Sequence, residues 1–195
     1  MKKHLGFTLI EVLLVVTIAG ILASVAVPAI GEFIKNNKVK SHMYNLLNSM
    51  NQARTEAVKR KAITTMCRVA DSSVATPVCG SSAANTWTNG WIIFEDVDGD
   101  GVYEPGAAAP NGPDLMITRA PAANDPITII ANSISNQNLQ YKGDGTLHET
   151  GIARFAICDN RSPKEDYGRQ VNVAMVGRAS IYSAPIDSCT APTGP

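Results

Sequence analysis

Between Phe7 and Val27 nearly every position is apolar, and Glu11 is the one charged residue in the run. Twenty-one residues at the helical rise of about 1.5 Å reach about 31 Å, the thickness of a bilayer's hydrocarbon core. Past Pro28 the pattern thins to Val39, Met43, Leu46, Leu47, Met50, Ala53 and Ala57. That three-and-four spacing places one apolar stripe along a helix and predicts its continuation to about Arg60. From Ala62 onward short β-rich runs alternate with turn chemistry, at 62–69, 91–95, 114–119, 127–131, 138–142, 153–158, 170–176 and 179–183. Val171, Val173 and Met175 alternate as a half-buried strand does, and Lys142-Gly143-Asp144-Gly145-Thr146 and Val176-Gly177-Arg178 are the clearest turns. The prediction is an α+β fold, with one long N-terminal helix packed on antiparallel sheet and its first half projecting as a membrane anchor. A Gly, Ala and Pro-rich stretch from Pro105 to Pro113 reads as a loop.

Lys2, Lys3 and His4 precede the apolar run, so the positive-inside rule keeps the first residues cytoplasmic and exports everything after Val27. A removable secretory signal, with Ser24-Val25-Ala26 as its cleavage site, is the alternative. Glu11 argues against it, because an acidic group inside a membrane helix costs a few kcal/mol and a discarded signal gains nothing from that cost. If the chain is cut after Gly6, the new α-amine on Phe7 sits at the membrane edge. A neighbouring subunit's Glu11 could then neutralise it, since paired buried charges are tolerable where single ones are not.

Gly6-Phe7-Thr8-Leu9-Ile10-Glu11 resembles the class III signal of type IV pilins and type II secretion pseudopilins. The resemblance implies a pilin-like fold, cleavage by a prepilin peptidase after Gly6, methylation of Phe7, and a role for Glu11 in aligning subunits during assembly. It also places Pro28 where the pilin helix bends. Gln52-Ala53-Arg54-Thr55-Glu56-Ala57-Val58-Lys59-Arg60, Trp87-Thr88-Asn89-Gly90-Trp91-Ile92-Ile93-Phe94-Glu95-Asp96 and Gly177-Arg178 are similar to the GspH/FimT/FimU group of minor pilins and pseudopilins. The expected organisation is a leader at 1–6, a transmembrane helix at 7–27, its amphipathic continuation at 28–61 and a periplasmic β-rich domain at 62–195. Prepilin peptidase, other major and minor pilins and the inner membrane are the implied partners, with later display on a pilus fibre or the cell surface.

Cys67, Cys79, Cys158 and Cys189 lie on the exported side, where disulfides form. Of three pairings, the sequence-local one joins Cys67 to Cys79 and Cys158 to Cys189. A zinc site is the sharper alternative, but the cysteines lack CxxC spacing and His4, His42 and His148 are scattered. Asp96-Val97-Asp98-Gly99-Asp100-Gly101 sets carboxylates at alternate positions, as an EF-type loop does for Ca²⁺. Glu104 could add a ligand at position nine, while position twelve, which should be a bidentate Glu, is Ala107. An Asp/Gly-rich turn that holds no metal fits the same residues. No GxSxG, HExxH, GxxxxGK[ST] or GxGxxG motif is present, so the reading is not of an enzyme. Trp87 and Trp91 could stack on a ligand, although core packing suits an aromatic pair better.

Three roles survive: a minor pilin of a type IV pilus, supporting its assembly or initiation; a type II secretion pseudopilin; and a DNA-binding pilin for uptake. Seventeen basic residues balance 17 acidic ones, and losing Lys2 and Lys3 with the leader tips the mature chain acidic. The DNA-uptake members of the group carry Gly-Arg-x-Arg near the C-terminus, whereas this chain reads Gly177-Arg178-Ala179-Ser180. One guanidinium instead of two forfeits counterion release, so DNA is an unfavoured partner and Arg178 its single candidate contact. Arg154, Arg161, Lys164 and Arg169 could gather round Arg178, opposed by Asp159, Glu165 and Asp166.

Overall fold

The computed structural model describes residues 7–80, 86–106, 112–123, 126–132, 137–161, 163–182, 186, 188–190 and 192. Helix α1 runs from Leu9 to Arg60. It ends where Lys61 takes a left-handed conformation (φ 55°) and the Ala62 N–H donates to the Ala57 carbonyl at 3.3 Å. That 6→1 bond is the Schellman stop, here with lysine at the position glycine usually fills. Two compact units divide the chain, residues 1–37 and 38–195.

In the first unit the apolar run is exposed at every described side chain from Phe7 to Ile30. The helix is long and apolar enough to cross a membrane. Its few hydroxyls are satisfied within the helix: Thr17 Oγ1 donates to the carbonyls of Leu13 and Leu14, and Ser24 Oγ to that of Ile21. Such back-bonding satisfies these hydroxyl donors without water, as an apolar surrounding requires. The backbone stays helical through position 28.

In the second unit the stripe read from the sequence is the face that packs. Val39, Met43, Leu46, Met50, Ala53 and Ala57 are buried and Leu47 partly so. They meet two four-stranded antiparallel sheets. One sheet has the order β3-β2-β1-β5, from β1 (Thr64–Arg68), β2 (Trp91–Glu95), β3 (Leu115–Ala120) and β5 (Asn138–Tyr141). The other has the order β4-β6-β7-β8, from β4 (Thr128–Ala131), β6 (Ala153–Cys158), β7 (Arg169–Val173) and β8 (Ala179–Tyr182). A four-residue turn of helix, α2 (Lys164–Tyr167), precedes β7. The eight strands match the eight predicted runs to within a few residues at their ends, while α2 falls where no element was expected.

Met66, Ile93, Leu139 and Tyr141 from the first sheet and Ile129, Phe155, Val171 and Val173 from the second share one core with the helix stripe. Two backbone hydrogen bonds from loop residues reach β4 and the β7–β8 turn there. The Trp87 N–H donates to the Ile129 carbonyl at 2.7 Å, and the Leu147 N–H to that of Met175 at 2.9 Å. The outer faces are covered as well. Cys67, Val69, Ile92 and Phe94 form a second cluster with Cys79, Tyr103 and Met116, and Ala156 and Cys158 form a third with Ile186 and Cys189. Strands covered on both faces bury every side chain rather than alternate ones, as β1 does throughout.

Candidate functional site

At the start of α1, Thr8 and Glu11 satisfy each other. The Thr8 N–H and Oγ1 donate to Glu11 Oε2 at 3.0 and 2.9 Å, and the Glu11 N–H donates to Thr8 Oγ1 at 3.3 Å. This reciprocal pair is a capping box, with the carboxylate held at the positive end of the helix dipole. The single chain thereby softens the cost of a charge in an apolar segment. Thr8 was not singled out from the sequence, although its Thr-x-x-Glu spacing is the signature of such a box. Gly6 lies outside the described residues, and Phe7 is exposed.

The acidic loop is built around Asp96, which is buried. Its Oδ1 accepts from the Gly99 N–H at 2.7 Å, and its Oδ2 from the Gly101 N–H, Thr65 Oγ1 and Gln140 Nε2 at 3.0, 2.7 and 3.0 Å. Three of these donors converge on Oδ2 and one on Oδ1, which leaves one acceptor site of Oδ1 open. Asp98 and Asp100 turn onto the loop's own backbone, accepting from the N–H groups of Asp100 and Val102. The carboxylate oxygens of Asp96, Asp98 and Asp100 lie within 4.8 Å of one another, as cation ligands could. Glu104 is outside that group, and Ala107 outside the described residues. Burial pushes the Glu104 carboxyl above its ordinary range, and Asp100, Asp98, Asp114 and Asp96 raise it further. Asp114, unnoticed in the sequence, ties the loop's two ends by accepting from the N–H groups of Val97 and Glu104 at 3.0 and 2.9 Å. No local pattern marks it, since it lies ten residues beyond Glu104.

Near the end of α1, Arg54 joins the helix to two turns. Its Nε donates to the Gly145 carbonyl at 3.0 Å and one terminal nitrogen to that of Val176 at 3.1 Å. A Cβ on Gly177 (φ +77°) would run into the Gly145 carbonyl oxygen, so glycine is required by both conformation and space. The family-like Arg54 and Gly177 therefore belong to one joint, and Arg178 beside it is exposed. Of the basic residues expected to gather round Arg178, Arg154 lies on β6 opposite Asn172, the partner of Ser180, while Arg161 and Arg169 are held elsewhere. Arg161 Nε donates to Asp159 Oδ2 at 2.7 Å and its guanidinium stacks on Tyr167 at 4.0 Å. Arg169 donates to the carbonyls of Tyr167 and Gly168, at the opposite end of β7 from Arg178.

Cys67 is bonded to Cys79 and Cys158 to Cys189. All four sulfurs are thus unavailable to zinc. Trp87 and Trp91 are buried, with ring centroids 6.5 Å apart, and Phe155 packs edge-on to Trp87 at 5.2 Å. They are core residues rather than a stacking platform.

Comparison with known families accounts for this pairing of an exposed apolar helix with a two-sheet unit. The model for type II transport protein GspH matches residues 44–177. The chain belongs to the GspH family. A prokaryotic N-terminal methylation motif matches residues 1–27, covering Gly6, Phe7 and Glu11. A crystal structure of the type IV minor pilin FimU of Pseudomonas aeruginosa, strain PAO1, aligns with a TM-score of 0.58 at 21% identity, covering 80% of this chain and 98% of that one. A second crystal form of FimU gives 0.54 at 21% identity, covering 77% and 98%. At that identity the likeness establishes the fold, a long helix on antiparallel sheets. Comparison with curated proteins finds no match. A GspH-family chain with a methylation motif is a type IV minor pilin or pseudopilin, a structural component and not an enzyme.

Proposed function

We propose that this GspH-family protein is a minor pilin of a type IV pilus, supporting the fibre's assembly or initiation. The observation that carries the reading is the fold match spanning 98% of the FimU chain, a protein described as a type IV minor pilin. On this reading prepilin peptidase cuts after Gly6 and Phe7 is methylated. Residues 7–27 then hold the chain in the inner membrane with residues 62–195 in the periplasm, until major and minor pilins draw it into the fibre. Glu11 exchanges its Thr8 partner for the Phe7 amine of a neighbour, and Pro28 marks the exit from the membrane. The disulfides suit an oxidising compartment. Protein donors to Asp96 hold the acidic loop in shape.

The second reading, a type II secretion pseudopilin, rests on the family model that matches residues 44–177. DNA uptake ranks below both, because the second arginine of the Gly-Arg-x-Arg element is replaced by Ser180. Deletion of the gene, followed by parallel assays of surface piliation, protein secretion and DNA uptake, separates the three. Loss of piliation with secretion intact is expected. Loss of secretion alone would move the chain to the pseudopilins.

A further inference from the structure

One end of the second unit is built from three segments that lie wholly within the described residues: 54–61 at the end of α1, 142–149 after β5, and 174–178 between β7 and β8. Arg54 ties them together through the carbonyls of Gly145 and Val176. Val58, one helical turn beyond Arg54, lies over Gly145, where an added Cβ would come to 2.9 Å from its Cγ2. Lys61 backs onto Gly143, where a Cβ would come to 2.7 Å from its carbonyl carbon. In the β7–β8 turn the main chain is engaged throughout. The Gly177 N–H donates to the Ala174 carbonyl at 2.7 Å and the Ala174 N–H to that of Arg178 at 3.1 Å, while the Met175 and Val176 carbonyls accept from the Leu147 N–H and from Arg54. The turn therefore offers solvent its two central side chains, Met175 at 53% and Val176 at 61% exposure, with Val58 at 48% across Gly145. Central turn positions ordinarily carry Gly, Asn, Asp, Pro or Ser, which suit the turn's backbone or bond it. A thioether and an isopropyl group held outward on a fixed turn do neither, and clustered exposed apolar groups mark contact surfaces.

The rim of these apolar groups is basic. Over the three segments six Lys and Arg stand against three carboxylates. All three carboxylates are engaged: Glu56 by Lys59 and Arg60, Asp144 by the Thr146 N–H and hydroxyl, and Glu149 by the Gln140 N–H, with its other oxygen buried. Lys61, Lys142 and Arg178 are exposed, and among the described residues no ion pair engages their side chains. We infer that this end is a docking surface for an acidic segment of a partner protein. An apolar side chain of the segment seats on Val58, Met175 and Val176, and its flanking carboxylates meet Lys61, Lys142 and Arg178. The unpaired cations select an acidic guest. The apolar centre selects a polypeptide over nucleic acid, whose phosphates are held by cations and polar donors and gain nothing from Met175 and Val176. Pairing of this surface with its own copy is opposed by like charge. Because main-chain bonds already fix the turn, docking orders little that was free before. The inference is independent of which assembly machine the chain joins.

The test is photo-crosslinking of the full chain in its own host cells, with p-benzoylphenylalanine at position 175 and the cross-linked peptide sequenced by mass spectrometry. The expected product is a partner-protein peptide in which Asp and Glu outnumber Lys and Arg. Lys142→Glu combined with Arg178→Glu should cut its yield about ten-fold, the scale of two exposed ion pairs turned repulsive. Lys142→Arg combined with Arg178→Lys keeps the charge and should keep the yield. Val176→Ser, which leaves every charge in place, should lower the yield through the apolar centre alone. All these side chains are exposed, so the purified variants should melt with the parent. No product, a product with nucleic acid or lipid, a peptide in which Lys and Arg predominate, or a yield indifferent to the charge reversal in a variant that melts normally would overturn the inference.

Discussion

Replacing Gly177 with alanine should destabilise the globular unit by about 3 kcal/mol. Part of that comes from the backbone, because an L-residue at φ +77° costs about 1–2 kcal/mol. The rest comes from the joint it belongs to: the new Cβ meets the Gly145 carbonyl oxygen, a backbone atom, so the two turns must separate. Arg54 bonds both turns, at Gly145 and Val176, and it cannot keep both as they part. These are bonds to a partly exposed cation, so about 1 to 2 kcal/mol for the pair is a fair weight. At roughly 2–4 °C per kcal/mol for a unit of this size, Tm should fall by about 10 °C. Every buried core residue lies at or after Val39, so the fragment from Lys38 onward is the material for thermal unfolding by circular dichroism. Arg178→Ala, at an exposed neighbour, should shift Tm by less than about 2 °C. Arg54→Ala should be costly alone, yet add little in the Gly177→Ala background, because the second change removes bonds the first has already broken. A Gly177→Ala protein that melts with its parent, or strict additivity of the two changes, would refute the joint.

Three further outcomes follow from other parts of the molecule. Glu11→Val removes the partner of a neighbour's Phe7 amine and should leave insertion and cleavage intact while reducing incorporation into purified filaments; intact mass of the same sample should show loss of Met1 to Gly6 and one methyl group on Phe7. Reducing or deleting the Cys67–Cys79 bridge, which closes a 12-residue separation, should cost about 3 kcal/mol in urea unfolding, and four free thiols in non-reducing peptide mapping would contradict both bridges. Burial pushes the Glu149 carboxyl above the ordinary glutamate range, and its Oε2 is buried with no partner among the described residues. The unfolded chain therefore ionises first as pH rises, so stability is full below the unfolded value and is lost up to the raised folded one. Glu149→Gln keeps an acceptor for the Gln140 N–H, bonded at 3.1 Å, and should raise stability at neutral pH and flatten that slope; an unchanged pH profile would argue against the burial.

Much of this protein is legible along the chain because its signals are local. The mostly apolar run from Phe7 to Val27, the stripe from Val39 to Ala57 and eight β-rich runs between turn residues each depend on neighbours a few positions away; the first two form one helix and the rest eight strands. The capping box belongs to the same class, since Thr8 and Glu11 are one helical turn apart, and the sequence held that signal even though it was not drawn out. Tertiary structure decided what depends on distant partners. Asp96 reads as a metal ligand in its own hexapeptide, and only the fold brings Thr65 and Gln140 from other strands to bond its Oδ2. Asp114 gains its role by tying Val97 to Glu104, and Arg54 by meeting two turns more than ninety residues away. Arg161 and Arg169 read as cations free to join Arg178, yet the hairpins carry them to the far end of β7 and engage them there. Spacing along a chain encodes periodicity and turn chemistry; which donors fill a buried carboxylate, and which strand edge stays open, is settled only when segments far apart in sequence compete for the same space and the same hydrogen bonds.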